Sequence, residues 1–143
     1  MKTSYRNILV ALDGSEQADN ALLEAVETAK RNDTKLYLVS VIDDSNLLMN
    51  TAIPVDKVIE EEKSSVNAEL TKKIKEIDYP KAEILIAVGN PKKYLTVDLP
   101  KSLNIDLIFL GATGKGRIER ILVGSVANYV VNHAPCNVMV VRD

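Results

Sequence analysis

The chain has 143 residues, 46% of them apolar, and its 18 basic and 20 acidic side chains leave a net charge of −2. That length suits one domain over residues 1–143, and a domain of this size hides roughly two-thirds of the surface its unfolded chain exposes. The charge balance excludes the strong nonspecific pull toward nucleic acid or anionic membrane that a basic face produces, and no run reaches the ~20 consecutive apolar residues of a membrane span.

Met1 to Arg6 is polar and reads as the lead into a strand, not as a secretory signal. Ile8 to Leu12 is the first short apolar run, and it ends in Asp13-Gly14-Ser15. These three letters read equally well as a strand-to-helix turn, with Asp and Ser capping, or as one wall of a binding site. Ala18, Ala21, Leu22, Ala25, Val26 and Ala29 then recur at helical spacing. Leu36 to Ile42 is the second strand, followed by Asp43 and Asp44, which could face a pocket but are most simply an exposed acidic turn. Between Pro54 and Pro80, Val55, Ile59, Val66, Leu70, Ile74 and Ile77 define a long amphipathic helix. Its Glu60-Glu61-Glu62 run belongs on the solvated side.

Ile84 to Val88 is the third strand and leaves through Gly89-Asn90-Pro91; Leu107 to Leu110 is the fourth. Val126, Ala127, Val130 and Val131 mark a further helix, and Val138 to Val141 the fifth strand. Strands rich in Ile, Leu and Val with no polar alternation are covered on both faces. Five of them alternating with four helix candidates predict an α/β domain, a doubly wound parallel sheet built by right-handed crossovers. The strand order does not follow from these rules.

The most telling pattern is Gly111, two residues, Gly114, nine residues, then Gly124-Ser125, beginning as the fourth strand ends. Glycine at a strand exit lets backbone N–H groups approach a ligand, and a helix opening at Ser125 offers its N-terminal donors and dipole to an anion. Two commoner phosphate motifs are absent. A Walker A loop needs glycine where Phe109 stands and Ser or Thr where Gly116 stands; a dinucleotide fingerprint from Gly114 and Gly116 puts its third glycine on Glu119. The plain alternative is that these glycines serve only a turn and a helix start.

The run from Asp106 to Arg142 resembles the C-terminal half of a universal stress protein of the ATP-binding subgroup. Asn7 to Ser15 is similar to that family's opening strand and acidic turn, and Gly89-Asn90-Pro91 to its midchain strand exit. One departure is Asn137, where the family often has proline after cysteine. The resemblance implies strand order 3-2-1-4-5, which places strands one and four side by side where the winding reverses, with ligands bound beyond their carboxyl ends. It also implies ATP as ligand, with Mg²⁺. Ala11, Leu12 and Asp13 would border base and ribose, Val41 would wall the adenine, and Leu110, Gly111, Thr113 and Gly114 would approach ribose and phosphates. Gly124, Ser125 and Val126 would close on the phosphate chain, and Lys115 and Arg117 are secondary candidates for phosphate charge. The same strand order leaves Val138 to Val141 at a sheet edge, open to pairing with a second copy in a homodimer.

Reactive side chains are few. His133 and Cys136 are the sole members of their types, so the chain cannot build a Cys/His zinc cluster or an internal disulfide, and the lone cysteine suits a cytoplasmic setting. His133 reads as a capping or packing residue and Cys136 as a small buried one. No catalytic residue is assigned. The expectation is a stress-response regulator in which ATP is a ligand. The alternatives are a slow ATP hydrolase or phosphotransfer protein, at most a weak ATPase, and a nucleotide-free dimeric interaction module.

Overall fold

Alternate side chains along each central strand enter two different cores, and this accounts for the layering. The computed structural model describes residues 4–45, 54–113 and 123–142. In β1 (Asn7–Ala11), Ile8 and Val10 enter one core and Leu9 the other. In β2 (Lys35–Asp43), Leu36 and Leu38 separate from Val39 in the same way, as do Leu107 and Phe109 from Ile108 and Leu110 in β4 (Leu107–Gly111). The first core is closed by α1 (Glu16–Asn32) and α2 (Val55–Ile77). The second lies under the segmented helix that follows β3 (Ala82–Gly89) and under α5 (Ser125–His133).

With β5 (Asn137–Val141) the five strands form one parallel sheet in the order β3-β2-β1-β4-β5. Ile8 pairs with Leu36 on one side and Leu107 on the other, so the chain winds outward from β1 in both directions. The expected doubly wound α/β fold and strand order are therefore present. Observed strands begin up to two residues earlier than the apolar runs, because polar flanks such as Lys35 and Glu83 continue the ladder. Those two side chains also pair at 2.7 Å across β2 and β3. The hydrogen bond to Glu83 and then its charge raise the Lys35 pKa.

Helix α1 begins where the sequence places it. Ser15 is the N-cap, its Oγ accepting the Ala18 N–H at 3.1 Å, while Asp13 Oδ1 accepts the Ser15 N–H at 2.9 Å. Ser15→Ala is expected to cost about 1 kcal/mol, the usual worth of such a cap. Ser15→Thr should recover most of it. Urea unfolding reads both, and an unchanged midpoint for Ser15→Ala would show that the cap carries no stability.

The stretch between β3 and β4 departs from a simple helix. It runs as α3 (Pro91–Lys93), a wider π turn over Tyr94–Asp98, and α4 (Leu99–Ser102). Leu99 N–H donates to Tyr94 O, five residues back. The cause lies one residue on: Pro100 has no N–H to give, and its ring would crowd the carbonyl four residues earlier, so the backbone widens ahead of it. The arrangement still buries Leu95, Thr96, Leu99 and Pro100.

One distant pair sets the sheet's lower edge. The Asp106 carboxylate accepts the N–H groups of Arg6 and Asn7, at 2.9 and 3.0 Å for the shorter contacts, tying the start of β1 to the residue before β4.

Candidate functional site

Three chain segments far apart in sequence meet beyond the carboxyl ends of β1 and β4. Ala11, Leu12 and Asp13 leave β1, Leu110, Gly111 and Ala112 leave β4, and Gly124, Ser125, Val126 and Ala127 open α5. Together with Val41 they line a cavity of about 230 Å³. Asp13 and Gly111, almost a hundred residues apart, are thus two walls of one site, as a winding reversal at β1 and β4 dictates. Nine of the eleven expected site residues stand on this wall. Thr113 lies just beyond it, its N–H donating to Gln17 Oε1 at 2.9 Å. Gly114 lies outside the described residues, as do Lys115 and Arg117.

The structure adds residues that the sequence left unassigned and, in Asp43, one that it read more simply as part of an exposed turn. Val39 and Asp43 come from β2, Ala18 from α1, and Pro91 and Leu95 from the segmented helix. Asp43 therefore faces the cavity as well as being exposed. Val39 was discoverable, since it shares a strand face with Val41 two residues on. Leu95 was not, because its inward position depends on the π turn.

Two glycines take roles that differ from the simplest expectation. A Cβ on Gly111 would lie 2.8 Å from the backbone of Gln17 and Ala18, so this glycine lets the end of β4 pack against the first turn of α1. Gly124 is buried; its N–H donates to Ala112 O and its carbonyl accepts the Asn128 N–H at 2.9 Å. It serves as N-cap of α5, with Ser125 at the first helical position. Gly124 brings no capping side chain of its own, and the first turn, Gly124 to Ala127, where the positive end of the helix dipole lies, lines the cavity.

The two reactive side chains lie elsewhere. His133 ends α5, with Nδ1 2.9 Å from Tyr129 O and its ring stacked on Tyr129 at 4.0 Å. Cys136 is half-buried against the second core, somewhat more open than a fully buried cysteine because it precedes an edge strand.

An open, doubly wound parallel sheet with a cavity at its winding reversal, bordered by a glycine-capped helix N-terminus, defines the class: an α/β domain of the type that takes a ligand at the strand ends. Residues 4–142 match the sequence model of the Universal stress protein family, and the chain belongs to that family. A relative in Staphylococcus haemolyticus is 38% identical over 143 residues, taking in 97% of this chain and 86% of its own. Among solved structures, the universal stress protein UspA from Lactobacillus plantarum is 35% identical and superposes with a TM-score of 0.86, covering 99% of this chain and all of its own. The universal stress protein from Archaeoglobus fulgidus in complex with dAMP shares the fold at 23% identity and a TM-score of 0.66, with 96% of this chain and 98% of its own covered.

Proposed function

We propose that this protein is a nucleotide-responsive regulator that holds ATP in the cavity between β1 and β4 and uses occupancy to change its stability or the surface it shows to partners. The observation that carries this reading is that one cavity is lined both by apolar side chains, Ala11, Val39, Val41 and Leu95, and by the N-terminal turn of α5. The apolar lining suits a base, and a helix N-terminus suits phosphate. The dAMP-bound relative supports an adenine nucleotide as the class of ligand.

Mg²⁺ fits this arrangement in one way. Among the described residues, no group of three or more His, Cys, Asp or Glu side chains could hold a metal ion. Mg²⁺ usually arrives with phosphates and water and takes only one or two carboxylates, and Asp13 and Asp43 stand on the cavity wall. ATP is read as a ligand, not a fuel: Asp13, one of the two carboxylates on the cavity wall, is engaged by the Ser15 N–H, and a positioned base is what fast hydrolysis needs.

The test is to denature freshly purified protein, identify released nucleotide by chromatography and mass, then titrate emptied protein with ATP, ADP and AMP in Mg²⁺. Retained or tightly bound ATP is the expected result. An empty protein that binds none of the three returns the site to an interaction module. Turnover of about 1 per second or faster, the range of working enzymes, lost in Asp13→Asn with affinity kept, establishes the hydrolase instead.

Assembly through β5 completes the proposal. This strand is an edge of the sheet, and Met139, 45% exposed, lies on its open face. Pairing with a second copy would cover unpaired backbone groups. Val140→Pro removes one strand donor and is expected to shift sedimentation from dimer to monomer. A wild-type monomer at high concentration, with and without ATP, rejects this assembly.

A further inference from the structure

A second cavity of about 350 Å³ opens on the other face of the same strand ends, between β2 and α2. Its floor is apolar, with Leu12, Ile42, Val66 and Leu70, and Ser40 of β2 is set among them. Ser40 is only 8% exposed, yet its side chain has no hydrogen-bond partner among the described residues. Every fully buried side-chain nitrogen or oxygen among those residues is hydrogen-bonded, so the unbonded Ser40 hydroxyl has to open into the cavity its residue lines. A hydroxyl open to the cavity and unbonded within the protein is free to accept a hydrogen bond from a bound donor.

The rim is made of acceptors. Asp13, Asp43, Glu62 and Glu69 line it, and the one cation among them, Lys73, is already paired with Asp19 at 2.7 Å. The missing partner is therefore cationic and rich in donors. A dedicated protein-bound metal centre does not match, because among the described residues no three of these carboxylates come together to hold one ion. Glu62 and Glu69 sit two turns apart on α2, about 10 Å along its axis at 1.5 Å per residue. Charges spread at that spacing above an apolar floor call for several ammonium groups joined by methylene chains.

We propose that this cavity binds an aliphatic polyamine, its ammonium groups meeting Glu62, Glu69 and the Ser40 hydroxyl and its methylenes lying on Leu70 and Val66. The site is distinct from the nucleotide cavity and stands whether or not that cavity takes ATP. Asp13 and Asp43 border both.

The experiment is calorimetric titration of the full chain with spermidine alone at about 0.15 M salt, where exposed charges more than ~8 Å apart are largely screened. Amide shift mapping by NMR locates the site. Saturable binding is expected, with shifts at Leu12 to Gly14 and along residues 62–73. The double variant Glu62→Gln, Glu69→Gln, both on the exposed face of α2, should weaken it at least tenfold without disturbing the fold. Ser40→Val, which leaves net charge unchanged, should weaken it severalfold. The proposal fails if spermidine gives no saturable binding, if the double glutamine variant binds it equally well, or if millimolar Mg²⁺ displaces it as a competitor of equal strength. The last two results would mark diffuse charge attraction.

Discussion

Gly111→Ala is expected to destabilise the fold by about 3 kcal/mol, at the upper end of what overpacking a core usually costs, and Gly111→Val to leave little folded protein. The added Cβ meets the Ala18 nitrogen and the Gln17 carbonyl carbon at 2.8 Å and Gln17 Cβ at 3.0 Å. Two of these are backbone atoms of a helix turn, which cannot rotate aside as a flexible side chain does. Nor can α1 retreat as a body without opening its own seam, because Ala21, Ala25 and Ala29 are fully buried against the sheet. With a total stability of about 5–15 kcal/mol for a domain, a further branched methyl pair at this point removes much of what remains. Urea unfolding checks the alanine variant. An unchanged midpoint would mean that α1 slides outward at little cost and that the tight contact is not a constraint.

Saturation with ATP is expected to stabilise the protein by about 2.7 kcal/mol at a hundredfold excess over the dissociation constant, since a ligand selective for the folded state adds RT ln(1 + [L]/Kd). For a domain of this size that corresponds to roughly 8 °C in melting temperature. The discriminating variant is Val41→Trp. Val41 is half-buried at the end of β2 and lines the apolar wall of the cavity; tryptophan is well tolerated in strands and would occupy the slot meant for the base. Each tenfold loss of affinity removes about 1.4 kcal/mol of that stabilisation, so at least that much should vanish while the ligand-free protein melts near the wild-type temperature. Equal stabilisation of Val41→Trp and wild type would place the nucleotide somewhere other than this cavity. No stabilisation of the wild type by ATP, ADP or AMP would remove the nucleotide reading altogether.

The choice of valine over glycine for this test follows from burial. From the sequence, Gly124 reads as a phosphate-side residue to be blocked by a larger side chain. It lines the cavity but is buried and bonded to Ala112, so enlarging it disturbs the α5 cap and the ligand together. Val41 separates the two effects.

What could be read locally was read from the letters. Ile8 to Leu12 and Leu107 to Leu110 are apolar without alternation because the sheet is covered on both faces, and that signature survives without any knowledge of neighbours. Ser15 announces the start of α1 because capping uses a side chain and an N–H three residues apart. Both are near in sequence and near in space. The sequence also grouped Gly111, Gly124 and Ser125 as one candidate region and set Asp13 opposite once a strand order was supplied by resemblance, and all four line one cavity.

Strand order itself belongs to the tertiary structure, because parallel pairing of β1 with β4 brings together residues about a hundred positions apart, and no local preference records that choice. The same holds for the close approach of Gly111 to α1, which arises only when two crossovers pack on one sheet. Leu95 reaches the cavity beyond β1 and β4 through a π turn whose cause, Pro100, acts backward along the chain. Ser40 looked like an ordinary strand residue, and only the packing of α2 across β2 leaves its hydroxyl in a cavity rimmed by carboxylates. Propensity and periodicity determine which segments are strands and helices, since those depend on neighbours within a few residues; the two cavities depend on gaps between packed elements, and a gap has no letter in the sequence.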